Sequence, residues 1–219
     1  VPNVDLILGA DSSRKRSVRT EPTQRRSSQR LDALLDAAAD IVDESGFERL
    51  TTQMVAERAG ASIGTVYRYF PDRVAVVNAL RERAIRRYRE RVADDAERTA
   101  PATWWQLIDL ALDACISMYR EEPGFAVVHA GRRDRAEDDE PEFAARMARL
   151  ISEEFEIELG DDELRFRLGI ALEVGHSLVN RAFERTVDGD EVYLAEARNL
   201  VRSYLFEHVG TPHAASNAA

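Results

Sequence analysis

Leu50-Thr51-Thr52-Gln53-Met54-Val55-Ala56-Glu57-Arg58-Ala59-Gly60-Ala61-Ser62-Ile63-Gly64-Thr65-Val66-Tyr67-Arg68-Tyr69-Phe70-Pro71-Asp72-Arg73 is the stretch of this 219-residue chain that decides its fold. It reads as two short helices around a tight turn. Thr51 or Thr52 caps the first helix, and Leu50 staples onto Val55 across its start. Val55, Ala56 and Ala59 make its inner face. Gly60-Ala61-Ser62 is the turn, with glycine ending one helix and serine capping the next. The second helix, Ile63 to Tyr69, stops because Pro71 disfavours helical geometry at Phe70. Asp72 is placed to cap a further helix from Arg73.

Upstream, a longer helix begins near Ser27 or Ser28. Leu31, Leu34, Leu35, Ala38, Ile41 and Val42 recur at helical spacing. Gly46 and Phe47 end it, with the glycine left-handed and the phenylalanine folded back on the last turn. Two short helices behind a longer one are what a helix-turn-helix reader of DNA requires. Small apolar residues let the pair pack closely. Ser62, Gly64, Thr65, Arg68 and Tyr69 are left outward on the second helix, and Gly64 lets the backbone approach DNA. The pattern by itself also fits a helical hairpin in an ordinary bundle.

The quoted stretch closely resembles the N-terminal DNA-binding domain of TetR/AcrR-family regulators. Its core, Ala59-Gly60-Ala61-Ser62-Ile63-Gly64-Thr65-Val66-Tyr67-Arg68-Tyr69-Phe70, is highly specific. The resemblance implies an all-α homodimer: a three-helix DNA-binding domain followed by a helical ligand-binding and dimerisation domain. It implies that Thr52, beside Thr51 at the start of the first short helix, meets a phosphate. Gln53 faces a base edge, for which adenine suits glutamine. Ser62, Ile63, Gly64 and Thr65 enter the major groove, Ile63 against a thymine methyl. Tyr67 and Tyr69 place hydroxyls on the DNA backbone, and Arg68 reaches guanine or a phosphate. Arg73 stands where the family usually has lysine and keeps the phosphate charge. Ala61 stands where valine is common.

Net charge is −10, which looks wrong for a DNA binder until its distribution is considered. Arg14 to Arg30 holds seven basic residues against one acid, whereas residues 73–219 hold 20 basic and 29 acidic. An acidic body behind a basic arm suggests two parts with different partners. Residues 1–26 carry no periodic apolar pattern and read as a disordered basic arm. The other expected divisions are a DNA-binding domain at 27–72, a ligand-binding and dimerisation domain at 73–209, and a disordered tail at 210–219. About nine helices are expected, with a short one from Phe125 to Ala130 and a charged loop from Gly131 to Glu140.

In the larger domain, Trp104, Trp105, Leu107, Ile108, Leu112, Cys115, Met118, Tyr119, Phe125 and Val128 offer material for an apolar pocket. They serve equally as plain core. The helix from Asp161 to Val187 looks apolar on several sides, so Glu173, His176 and Asn180 are expected to be partly buried on a shared face. The candidate ligand site therefore comprises Trp104, Trp105, Ile108, Leu112, Phe125, His129, Met147, Glu173, His176 and Asn180. Gly169, Ala171, Gly175 and Ala182 form a small-residue theme. Together with Val192, Leu200, Val201, Tyr204, Leu205 and Val209 it suggests a dimer seam, though these faces also suit the monomer's own core. Arg81, Arg83, Arg86, Arg87, Arg89 and Arg91 read as a solvated face paired to acids.

The exclusions are as useful. A lone Cys115 rules out a disulfide framework. The four histidines have no metal spacing, and no cofactor is expected. No phosphate loop or nucleophile elbow is present, so no enzyme is expected. With no apolar run near 18 residues and no secretion signal, the expectation is a cytoplasmic protein without membrane contact. Its expected partners are operator DNA, a second copy of itself and a small-molecule effector. The resulting picture is a ligand-released repressor; the alternative is a TetR-like DNA-binding protein that answers to a protein partner or organises DNA.

Overall fold

The computed structural model describes residues 3–8, 22–126 and 139–212, and these form nine α-helices and a 3-10 turn, with no strand among them. The helices are α1 (Asp5–Leu8), α2 (Pro22–Ser45), α3 (Thr52–Arg58), α4 (Ile63–Tyr69), α5 (Arg73–Thr99), α6 (Trp104–Glu121), α7 (Asp139–Glu154), α8 (Asp161–Arg185) and α9 (Glu191–Val209). The 3-10 turn, Phe47–Arg49, links α2 to α3. The chain is all-α, as its periodicity predicts.

The described residues fall into two units. One draws on Arg14–Arg87 and Glu121–Arg135; the other draws on Val1–Ser13, Tyr88–Arg120 and Ala136–Ala219. The first is the helix-turn-helix unit. Leu34, Leu35, Ala38, Ile41 and Val42 of α2 pack with Leu50, Val55, Ala56, Val66, Phe70, Val76 and Leu80. Leu34, Ile41 and Leu50 are fully buried, each worth roughly 1.5–3 kcal/mol in transfer free energy. Arg58 grips Glu44 of α2 through two hydrogen bonds of 2.9 and 2.7 Å, fixing α3 against α2.

This unit also holds residues that follow α6 in sequence. The Gly124 N–H donates to Asp43 at 3.0 Å. Gly124 has φ +73°, and a Cβ there would stand 3.0 Å from the Ala39 carbonyl oxygen, so the turn lies directly on α2. Arg83, expected on a solvated face, is instead buried, donating to Asp36 at 2.6 Å and to the Leu35 carbonyl at 3.0 Å. Burial lowers its pKa, with Arg87 adding to the effect, while Asp36 opposes it.

The second unit has its own core. Val92, Ala93 and Ala96 of α5 pack with Leu107, Ala111 and Ala114 of α6, Leu150 and Ile151 of α7, Leu164 and Leu168 of α8, and Val201 and Leu205 of α9. Gly175 permits the close contact of α8 with its neighbours: a Cβ there would lie 3.1 Å from Val201 and 3.3 Å from Leu112. Ala171, Gly175, Ala182, Val201 and Leu205 are therefore core residues of the monomer. Phe166, Val174, Val192 and Leu200 are the larger apolar residues that α8 and α9 leave exposed.

Several expectations need correction. Residues 1–26 were expected to form a disordered arm, yet Asp5–Leu8 is helical and buries Ile7 and Leu8. Asn3 N–H donates to Glu154 at 2.8 Å, and α1 packs on α7. The apolar run is too short to show a period, and only tertiary burial decides its state. At the other end of that stretch, α2 already begins at Pro22, where a proline suits the first turn. Gly46 has φ 80° and ψ 158°, outside the left-handed helical region, and Phe47 is 37% exposed. Phe47 opens the 3-10 turn instead of folding back. Residues 9–21, 127–138 and 213–219, which include most of the arm, His129, most of the charged loop and most of the expected disordered tail, lie outside the described residues.

Candidate nucleic-acid interface

The turn between α3 and α4 is built by backbone hydrogen bonds. The N–H of Ala61 donates to the Ala56 carbonyl at 2.9 Å, and that of Gly60 donates to Glu57 at 3.3 Å. This paired closure needs a left-handed residue between, and Gly60 supplies it at φ +58°. Both helices are capped. Thr51 Oγ1 accepts from Met54 N–H at 3.1 Å, so Thr51 is the cap and Thr52 the first helical residue. Ser62 Oγ accepts from Thr65 N–H at 3.1 Å and pairs with Thr65 Oγ1 at 2.9 Å. Asp72 accepts from Ala75 N–H at 2.8 Å and caps α5.

The outward face of α4 carries Ser62, Gly64, Tyr67 and Arg68, all exposed, with Thr65 half-buried. A Cβ added at Gly64 would meet only Ser62 Oγ, at 4.0 Å, so the backbone is open there. Ile63 is half-buried against the core of its own unit, which leaves less of it for a thymine methyl. Gln53 is exposed, and its amide donates to Glu57 at 2.9 Å. Arg73 donates to the Glu48 carbonyl at 2.8 Å and ties α5 to the 3-10 turn. Tyr69 OH meets Ser27 Oγ at 3.1 Å. Arg68 stands over the Tyr69 ring at 5.4 Å.

An open groove of about 840 Å³ runs beside α4, bordered by Arg26, Ser27, Gln29, Arg30, Ala33, Arg68 and Tyr69. Arg26 and Arg30 belong to the basic Arg14–Arg30 block, whose charge the sequence already suggests for offsetting phosphate repulsion, and the structure places both on α2. Their register depends on where α2 starts, and the helix begins several residues before the periodic apolar stripe.

The residues expected to bind a ligand do not gather into one place. Trp104, Ile108, Leu112 and Met147 are buried in the core of the second unit, and Trp105 packs edge-on against Phe206 at 5.6 Å. Phe125 is buried but groups with the helix-turn-helix unit. Glu173 is exposed, contrary to expectation. The buried line of α8 runs through Leu164, Leu168, Ala171, Gly175 and Val179, and Glu173 is two residues, about 200°, from both Ala171 and Gly175. His176 and Asn180 do meet: Tyr119 OH lies 3.4 Å from each, and its ring stacks on Phe183 at 4.7 Å. The described residues contain no metal-holding cluster and no helix long and apolar enough to cross a membrane.

Residues 34–80 match the family described as bacterial regulatory proteins, tetR family, and residues 102–209 match the tetracyclin repressor-like C-terminal domain. A TetR-family transcriptional regulator from Streptomyces coelicolor is 34% identical, with a TM-score of 0.71, covering 82% of this chain and 99% of that one. The nucleoid occlusion factor SlmA of Actinobacillus pleuropneumoniae is 28% identical over 164 residues, 73% of this chain and 74% of SlmA. The transcriptional repressor KstR of Mycolicibacterium smegmatis is 36% identical over 74 residues, 34% of each chain.

Proposed function

The chain belongs to the TetR family of DNA-binding transcriptional regulators, and within it we propose a homodimeric repressor that leaves its operator when a small molecule binds. The observation that carries this reading is the capped α3–turn–α4 unit with Ser62, Gly64, Thr65 and Arg68 directed away from its core. Thr51, Thr52, Gln53, Ile63, Tyr67, Tyr69 and Arg73 complete the proposed DNA contacts. Likeness to the repressor KstR over 74 residues supports repression. Exposed Phe166, Val174, Val192 and Leu200 on α8 and α9 support pairing of two copies, since apolar side chains of this size gain by leaving water.

Helix α5 gives residues to both units, the first half up to Arg87 and the second from Tyr88. In the proposed switch, ligand-driven movement of its second half alters the separation of the two α4 helices in a dimer. Two half-sites about one DNA turn apart tolerate little change in that distance. His176, Asn180 and Tyr119, which meet in the second unit beside Phe183, are the polar groups that would orient an effector in this reading.

Duplexes selected from a random pool, followed by anisotropy titration and light scattering, test this reading. The expected result is a palindromic site bound by two copies. Candidate effectors should quench Trp104 or Trp105 and release that DNA together. The 28% identity to SlmA over most of both chains favours a second reading, in which the protein binds DNA without a small-molecule switch. Tight, specific DNA binding that no effector library disturbs, yet a protein partner alters, selects this second reading.

A further inference from the structure

The helix-turn-helix unit is poor in available positive charge. Leu31 to Asp72 contains eight acids and three bases, and several of the unit's arginines are occupied internally. Arg58 is held by Glu44, Arg83 by Asp36, and Arg87 by Glu122 at 2.6 Å. Phosphate neutralisation dominates affinity for duplex DNA, so the location of the remaining cations matters.

Arg26, Arg30 and Arg68 converge on the groove between the first turns of α2 and the end of α4. All three are exposed, and none pairs with a carboxylate among the described residues. The Ser27–Tyr69 hydroxyl contact at 3.1 Å joins the two helices at this point. Arg26 to Ala33 extends about 10 Å along α2, longer than one phosphate group. Three guanidinium groups brought together repel one another, and a polyanion laid between them removes that repulsion.

We propose that this groove holds the sugar–phosphate backbone of the DNA strand bordering the segment read by α4, with Arg68 serving as a backbone clamp. The inference rests on the DNA-binding reading and extends it in two ways. It brings Arg26, Ser27 and Arg30 into the interface, and it resolves the choice between guanine and phosphate for Arg68. Sequence discrimination then falls to Gln53, Ser62 and Thr65.

The test uses the full chain, its selected duplex and an unrelated duplex, titrated by anisotropy across a series of salt concentrations. Arg26→Ala, Arg30→Ala and Arg68→Ala should each weaken both duplexes alike and reduce the salt slope by about one. The ratio of the two affinities should stay unchanged in all three, whereas Thr65→Ala should lower it. Circular dichroism confirms that each variant retains its helices, and Arg30→Lys should restore most of the slope. An unchanged slope in helical Arg26→Ala and Arg30→Ala overturns the groove while leaving the DNA reading intact. Loss of discrimination in Arg68→Ala overturns its role as a clamp. Saturable binding of inorganic phosphate by calorimetry, with no change in the DNA slope on mutation, identifies a small-anion site and refutes the proposal. A wild-type protein that binds no duplex refutes the underlying reading as well.

Discussion

The helix-turn-helix unit and the second unit are both packed α-helices with well-filled cores, yet they differ in what their residues are constrained to do. In the first, the constraint is local. Two seven-residue helices must end and restart within four residues, so Gly60, Ser62, Thr51 and Asp72 each have a specific backbone duty. In the second, long helices α6, α8 and α9 are held by generic apolar burial, which many side chains satisfy. Local geometric duty leaves a signature in sequence; burial leaves only a period.

That contrast can be broken by mutation. The largest effect is expected from truncating the second core: Leu164→Ala removes a fully buried side chain and should cost about 2–5 kcal/mol in urea unfolding. The preference of the remaining folded protein for its selected duplex over an unrelated one should be unchanged. A changed preference would mean that the second core also shapes base reading. Gly175→Ala should cost about 1–3 kcal/mol by overpacking, because the new methyl would stand 3.1 Å from Val201. An unaltered denaturation midpoint would show that α9 yields there.

Ser62→Ala should cost about 0.5–2 kcal/mol and, unlike the two core variants, should weaken selected-duplex binding out of proportion to stability. Parallel denaturation and anisotropy measurements separate the two effects. The smallest effect concerns pH. The hydrogen bond from Arg58 holds the exposed Glu44 carboxyl below its ordinary value, with burial opposing it. The unfolded chain then binds the proton more readily, so this contribution to stability is present above the unfolded pKa and is lost as pH falls through the folded one. Carboxyl NMR titration should show Glu44 depressed in the native protein and returned to ordinary in Arg58→Ala.

Most of the fold was legible in the sequence. The apolar period of α2 from Leu31 onward, the Asp72 cap and the Pro71 stop predict the helices observed around them. The helix–turn–helix around Gly60 follows from turn chemistry. A pocket was not legible for a physical reason: Trp104, Ile108, Leu112 and Met147 are apolar in a core or a pocket alike, and only the arrangement of backbones distinguishes the two. Glu173 was misplaced because a polar residue on a helix with exposed Phe166 and Val174 appears surrounded by apolar neighbours. Asp5–Leu8 escaped notice because its helix depends on burial against α7, a contact separated by more than a hundred residues.

The segment after α6 has a practical consequence for dissection. Because Gly124 lies on Ala39 and bonds to Asp43, the helix-turn-helix unit is stitched from two separate stretches of polypeptide. A fragment ended at Arg87 would lose that cover from α2 and expose surface that the intact protein keeps dry. Swapping the DNA-reading half between relatives would therefore call for two splice points, with the short patch around Gly124 travelling alongside its distant partner.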